Sequence, residues 1–366
     1  MSSWSHWSNC TLACGQGEQH RMRHIIHNND HSRQGSCPPT HDSRACYRSC
    51  GLESIILVQQ PAPALQRVDV YPSGHITATI LSYSNARSIG IYPPTDARSV
   101  QLVTAPGPRL YALGAKQAGS YGGKRVEVFH SGYWGFETAT NEDRYLAAIG
   151  YWPALDMLYA CGCWNNTDAD CTRSCEFRDS HQDGPWTIRR QNVYCFDDTA
   201  VAPYKKVLFL TGGTGCSSHS DASDAIDLLL RYDYERDIWT RLTSMLDSRS
   251  GHATMVIDNQ VLACGGWNGR EFVRTCEWYD IVNDKWSSAP PMPRPLKYHQ
   301  LYAIGGRVLA IGGYCCYDGS TRQWTLNNSI FVFANGVWGV SSALVNNRAS
   351  SGVIRGTVVP SEWLDL

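Results

Sequence analysis

Fifteen cysteines and a run of closely spaced imidazoles are the residues of this chain best equipped to do chemistry. The thiols fall into groups: Cys10, Cys14, Cys37, Cys46 and Cys50; then Cys161, Cys163, Cys171 and Cys175; then Cys264 and Cys276. Cys195, Cys216, Cys315 and Cys316 stand outside them. At that density thiols either pair as disulfides or hold a soft metal, and an odd total leaves one unpaired or shared with another chain. The imidazoles are His20, His24, His27 and His31, interleaved with Arg21, Arg23 and Arg33. Such a face suits a sulfated glycosaminoglycan, held more tightly at acid pH as the rings protonate, or a transition metal. A solvated strand and loop is the plainer reading. The chain has no HExxH, no glycine-rich phosphate loop, no GxSxG elbow and no dinucleotide fingerprint. No catalytic, cofactor or metal residue is therefore assigned, and the expectation is a protein that is not an enzyme.

The elements that position these residues are bounded by composition. The 366 residues carry 32 Lys+Arg against 33 Asp+Glu, so there is no basic surplus with which to attract nucleic acid. With 43% hydrophobic and 18% charged residues, wholesale disorder is excluded. The cysteine content points to an oxidising compartment and hence to a secreted or extracellular protein. Residues 1–8, MSSWSHWS, contain neither the basic nor the apolar region of a signal peptide, so the chain reads as a fragment or a mis-started gene model. No apolar run approaches 18 residues, and no hydrophobic tail follows Trp363. No membrane span is expected.

Residues 1–52 form the first expected domain. Half of the twelve histidines lie in its first fifty residues, with five cysteines and few aliphatic side chains, a composition that needs disulfide staples. The runs WSHWSNC, CGQG, RMR and ACYRSC, from Trp4 to Cys50, resemble the thrombospondin type 1 repeat. The resemblance implies a thin three-stranded ribbon in which Trp4 and Trp7 stack with Arg21 and Arg23 through cation–π contact. It also implies bridges Cys10–Cys46 and Cys14–Cys50 and C-mannosylation of Trp4 and Trp7, whereas glycan or ligand contact through Arg21, Arg23 and Arg33 is expected from the positive face that they form. Two departures matter. His24 and Ile25 stand where the family has its third cysteine, so Cys37 is expected to be free or intermolecular. Ala13 replaces the hydroxyl residue that would carry O-fucose.

Residues 53–366 repeat. Gly114, Gly162, Gly212, Gly265 and Gly312 recur at intervals of 48, 50, 53 and 47, and Trp134, Trp186, Trp239, Trp286 and Trp338 at 52, 53, 47 and 52. Two ladders with one period define a repeat architecture. Within Ser250–Pro290, SGHATMVID, VLACGG, RTCEWYD and KWSSAP read as four short strands between turns, and four antiparallel strands per repeat make a propeller blade. The pattern resembles the kelch repeat. Residues 54–60, 67–73 and 75–81 read as strands two to four of a first blade lacking its innermost strand, and residues 349–360 read as that strand. The fold is therefore expected to be all-β, a six-bladed kelch-like propeller closed by the C-terminal strand. Five and seven are the neighbouring counts, because the strand near Val100–Thr104 is weakly patterned.

In this register Cys161 and Cys175 occupy the places of Cys264 and Cys276, so each pair is expected as a bridge between strands two and three of one blade; Cys163–Cys171 could close the loop between. A zinc site in the 161–175 cluster is the weaker reading, since two of its four sulfurs recur in a blade with no cluster. His252 and His299 begin strands and match no copper-ligand set. Sequons place surface N-glycans at Asn165 and Asn327; Asn9 abuts a cysteine and is a poorer acceptor. The function expected is adhesion or matrix interaction, through an extracellular protein or sulfated glycosaminoglycan. The alternatives are a secreted propeller enzyme of the kelch/galactose-oxidase type, needing converging titratable groups at the axial mouth, and an intracellular kelch substrate adaptor, needing a BTB-type domain upstream and few disulfides.

Overall fold

The computed structural model describes residues 15–22, 41–48, 53–59, 64–71, 73, 75–81, 101–106, 109–113, 123–130, 133–144, 147–162, 173–181, 183–191, 194, 198–215, 225–318, 323–344 and 355–360. These contain strands and turns and no helix. The chain divides into two compact units, Met1–Glu53 with Pro360–Leu366, and Ser54–Val359. In the first, β1 (Gly15–Met22) pairs antiparallel with β2 (His41–Arg48), setting Gly17 opposite Cys46 and Arg21 opposite Asp42.

The second unit is a six-bladed propeller. Blade one joins β3 (Glu53–Gln59), β4 (Ala64–Val70) and β5 (Ile76–Leu81) to β27 (Arg355–Pro360), in the order β27-β3-β4-β5. The chain's last strand therefore completes its first blade, as the strand pattern implied. Blade two is β6 (Gln101–Ala105) to β9 (Tyr133–Glu137), and blade three runs from β10 (Ala148–Trp152) through β11 (Met157–Cys161) and β12 (Cys175–Asp179) to β13 (Thr187–Ile188). Blade four comprises β14 (Ala200–Tyr204), β15 (Val207–Thr211), β16 (Leu229–Asp233) and β17 (Ile238–Arg241). In blade five the strands are β18 (Ala253–Ile257), β19 (Gln260–Cys264), β20 (Cys276–Asp280) and β21 (Lys285–Ala289). Blade six has β22 (Lys297–Ile304), β23 (Arg307–Asp318), β25 (Ser329–Ala334) and β26 (Val337–Leu344), and β24 (Gln323–Leu326) pairs with the far end of β23.

The core lies between blades. A strand buried on both faces reads as a continuous apolar run, and Val207–Thr211, VLFLT, is buried at every position, whereas the outer Ile238–Arg241 is mostly exposed. Ile55, Leu57 and Val68 of blade one pack with Tyr302, Leu309 and Ile330 of blade six. On the other side of blade one, Thr104 Oγ1 donates to the Val358 carbonyl at 2.9 Å. The ring thus closes through both neighbours of the composite blade.

The tryptophan ladder has a specific role. The indole Nε1–H of Trp186, Trp239, Trp286 and Trp338 donates to the carbonyls of Thr138, Arg190, Thr243 and Pro290, at 3.0, 2.8, 2.9 and 3.1 Å. Each acceptor follows the last strand of the preceding blade. In three of these joints an aspartate accepts the amide N–H of the same residue: Asp183 from Thr138, Asp237 from Arg190, Asp284 from Thr243. One linker residue is held by both its N–H and its C=O.

A second clamp appears in blades three and five. Arg144 is fully buried; its Nε and Nη2 donate to Glu176 Oε1 at 2.8 and 2.6 Å, and its Nη1 to the Gly162 and Ser174 carbonyls. Arg249 repeats this with Glu277, Gly265 and Thr275. The second oxygens of the two glutamates accept linker amides, from Asn141 and Leu246. The same two blades carry disulfides, Cys161–Cys175 and Cys264–Cys276. Blade six puts Leu296 and Phe331, packed in one cluster, where blade five has Arg249 and Glu277.

Removing one member of a buried ion pair strands the other, at about 3–5 kcal/mol, so Glu277→Ala should lose that much in urea unfolding, whereas the double variant Arg249→Leu/Glu277→Phe, copying blade six, should lose much less. The Asp183, Asp237 and Asp284 carboxyls lie below the usual Asp range. For Asp183 and Asp284 the cause is the linker amide, with the Thr138 hydroxyl and the Tyr279 phenol adding to it. For Asp237, burial opposes the shift, and hydrogen bonds from Tyr232 and the Arg190 amide outweigh it. A lowered folded pKa gives stability that is complete above the unfolded value of about 3.9 and lost as pH falls through the folded value. Thermal midpoints should therefore drop steeply below about pH 4, and replacing these three aspartates by alanine should flatten that slope.

Candidate functional site: the axial mouth

Antiparallel order puts the starts of first strands, the ends of second strands and the starts of third strands at one end of the ring. At the opposite end the connections are tight, as at Asp258–Asn259 and Gly305–Gly306. At the first end they are long, spanning residues 114–125, 162–174, 212–228 and 265–275, and blade six adds the β23–β24 hairpin. Long connections on a rigid scaffold are where recognition is built.

At the centre of that end, the residues two before β14 and β18 and the second residue of β22 share one unusual conformation. Asp198, Gly251 and Tyr298 have φ of 52°, 59° and 61°. The Gly251 amide donates to the Asp198 carbonyl at 2.8 Å and the Tyr298 amide to the Gly251 carbonyl at 2.7 Å, a blade-to-blade chain of main-chain bonds. Glycine adopts this conformation freely, whereas a tyrosine there is strained and must be held by its surroundings. Its phenol donates to Asp198 Oδ2 at 2.5 Å, and its ring lies 6.3 Å from that of Tyr314. Lys297 Nζ is 3.3 Å from the same carboxylate oxygen and 4.6 Å from the Tyr298 ring centroid. A Cβ on Gly251 would press on the Lys297 stem at 2.6 Å, so the glycine makes room for the lysine.

Asp198, Gly251 and Tyr298 line a cavity of about 160 Å³ whose walls also include Ala148, Thr199, His252 and Gln300. His252 is 5% exposed, and its Nε2 lies 2.8 Å from Thr211 Oγ1. Burial, then the Arg249 cation and His299, hold its imidazole well below the usual range, so the ring is neutral at physiological pH. Its Nδ1 has no hydrogen-bond partner among the described residues. His252 and His299 also pack edge-on against Gly212 and Gly265 of the preceding blades. Each is a wall element of the joint between blades, and the mouth offers a carboxylate, a cation, a phenol and a neutral imidazole as recognition groups. Among the described residues, no three or more His, Cys, Asp or Glu side chains group as metal ligands.

Trp4, Trp7, Cys10, Cys14, Arg23, Arg33, Cys37, Cys50, Cys163, Asn165, Cys171, Cys195 and Cys216 lie outside the described residues, as do the side chains of Arg21 and Cys46. Asn327 is a correction. It is 4% exposed; its Nδ2 donates to the Gly312 and Ser329 carbonyls, and its Oδ1 accepts the Ser329 amide. The sequon forms a buried Asx turn at the base of the β24–β25 connection, and the amide that would carry a glycan faces protein. Cys315 and Cys316 are free thiols. Pattern reading missed the Arg144–Glu176 and Arg249–Glu277 clamps, although an acidic residue two before each arginine and a glutamate after the third-strand cysteine (Glu142, Glu176; Asp247, Glu277) signal both. No signal marked Asp198 and Tyr298, which meet only when blades four and six close on the axis.

Residues 2–50 match the thrombospondin type 1 domain, and residues 248–293, which contain blade five, match the Kelch motif. The chain carries a thrombospondin type 1 domain followed by a kelch-type six-bladed propeller. It is similar to Kelch-like protein 7 of Rattus norvegicus (27% identity over 28% of this chain and 19% of the relative) and spermatocyte protein spe-26 of Caenorhabditis elegans (33% over 25% and 16%). It is also similar to the human influenza virus NS1A-binding protein (29% over 29% and 17%). The matched stretch spans less than a fifth of each of these relatives. A thrombospondin type 1 domain beside a kelch-type propeller supports a protein-interaction role. Among the described residues no helix is long and apolar enough to cross a membrane.

Removing the Tyr298 phenol should weaken the mouth without disturbing the blades. A hydrogen bond to a charged group contributes about 1.5–3 kcal/mol, so Tyr298→Phe should lose about that much in urea unfolding, and the loss should vanish in an Asp198→Ala background.

Proposed function

We propose that this is an extracellular adhesion or matrix-interaction protein that acts by binding and not by catalysis. Its propeller takes a protein partner on the long-loop end around Asp198, Lys297 and Tyr298, and its N-terminal domain contacts matrix protein or sulfated glycosaminoglycan through Arg21, Arg23 and Arg33. The observation that carries this reading is the asymmetry of the ring: tight turns at one end, and at the other long connections around a mouth held in strained backbone. Interblade stability does not require such a feature at Tyr298, since Gly251 fills the same place in the preceding blade. The oxidising compartment is supported by the Cys161–Cys175 and Cys264–Cys276 bridges, since disulfides form and persist in oxidising surroundings.

An intracellular adaptor is the competing class. One relative is the cowpox Kelch repeat and BTB domain-containing protein 2, whereas here residues 2–50 match a thrombospondin type 1 domain. Expression behind a heterologous signal peptide tests the choice. The expected result is an exported, disulfide-bonded protein that binds decellularised matrix and is retained on heparin, with matrix binding reduced at least about tenfold by Asp198→Arg and heparin retention reduced by Arg21→Ala/Arg23→Ala/Arg33→Ala. Intracellular retention, or matrix binding untouched by either variant, would overturn it.

A further inference from the structure

Adjacent residues of a strand point to opposite faces, so neighbouring cysteines in regular β structure keep their sulfurs apart. In β23 they do not. The pairing with β24 sets Tyr314 opposite Leu326 and then Cys316 opposite Thr325, so Cys315 is the extra residue of a β-bulge. A bulge suspends the alternation and re-aims side chains, and here it brings Cys315 Sγ to 3.3 Å from Cys316 Sγ. The two thiols differ in setting. Cys315 packs against the cluster containing Val308, Ala310 and Phe331, and its sulfur donates to the Thr325 carbonyl at 3.5 Å. Cys316 is exposed. Both belong to the hairpin at the long-loop end, and Tyr314 beside them meets Tyr298 of the mouth edge to face.

We propose that Cys315 and Cys316 form a vicinal dithiol/disulfide site, modified by exchange with the disulfide of a low-molecular-weight thiol. The Cys316 thiolate attacks one sulfur of the external disulfide, giving a mixed disulfide and releasing one thiolate. Cys315 then loses its proton to solvent and attacks Cys316 Sγ, closing the Cys315–Cys316 bond and releasing the second thiolate. The protein gives up two electrons and two protons, and the external disulfide becomes two thiols. Asymmetry sets the order of attack. Burial, and then the hydrogen bond and charge of Cys316, push the Cys315 thiol up to about 11, which keeps it protonated and makes Cys316 the attacking sulfur. Cys315 becomes the resolving sulfur once the mixed disulfide has formed 3.3 Å away.

The test is equilibration of the full chain in glutathione/glutathione disulfide mixtures, acid quench, alkylation and tryptic mass analysis. Cleavage after Arg307 and Arg322 isolates both thiols in residues 308–322. In reducing mixtures this peptide should take two alkyl groups; in oxidising ones it should take none and weigh two hydrogens less. Cys315→Ser should accumulate glutathione on Cys316 to at least about tenfold the level found on Cys315 in Cys316→Ser. Phenylarsine oxide, which needs two neighbouring thiols, should bind the reduced wild type one to one and neither variant. A peptide that stays doubly alkylated throughout, one bridged to another cysteine peptide, equal adducts in the two variants, or failure of phenylarsine oxide to bind the wild type would overturn the proposal.

Discussion

The propeller depends on the joint at which each blade grips the end of its predecessor. In three successive joints a tryptophan in or just before strand four donates its indole N–H to a linker carbonyl, while an aspartate of the turn between strands three and four takes that linker residue's N–H. A linker between blades has no strand partner, so its polar groups must be satisfied from outside. Supplying both partners from the next blade turns this obligation into a joint with fixed direction. The apolar layers between blades give cohesion without direction, because hydrophobic burial is nonspecific in angle. The tryptophan and aspartate set the angle, and a constant angle repeated around the axis is what closes a ring.

The inner rim obeys the same logic with different groups. Gly212 and Gly265 turn with left-handed φ where any Cβ would overlap the carbonyl of Arg249 or Leu296 in the next blade, so backbone and the edge of His252 or His299 pack directly on them. This close approach explains two things at once: the glycine ladder and the burial of the imidazoles. The clamp behind the rim is less uniform. Blades three and five use a buried Arg–Glu pair together with a disulfide, whereas blade six fills the equivalent positions with Leu296 and Phe331. A buried ion pair and a packed apolar pair are close in stability when each is complete, so one fold tolerates both. What it does not tolerate is half of either.

Much of this was legible in the residues because the signals are periodic. Glycine and tryptophan ladders with one period marked five blades, and the first repeat, lacking its inner strand, supplied the sixth and pointed to residues 349–360, where β27 now pairs with β3. The Cys161–Cys175 and Cys264–Cys276 placements came from register alone. Features made by closure were not legible. Asp198 and Tyr298 are a hundred residues apart in the chain, and nothing local to either announces the other. Asn327 failed in the opposite sense: a sequon reports only local sequence, while the burial of its amide is decided by how Gly312 and Ser329 converge on it.

The contrast between the two kinds of cysteine pair sharpens how the blades use sulfur. Cys161–Cys175 and Cys264–Cys276 join directly paired positions of neighbouring strands, where each sulfur is buried and the bridge is inaccessible to exchange. Cys315 and Cys316 lie on one strand, at a bulge, with one sulfur at the surface. Exchange rates depend on access and on thiolate character more than on sulfur spacing, so the first two pairs belong to the framework and the third to the exposed hairpin at the long-loop end. Beyond the stretch of β23 paired with β25, the β23–β24 hairpin that carries the bulge lies at the end of the ring where the connections are long and Tyr298 is held against Asp198.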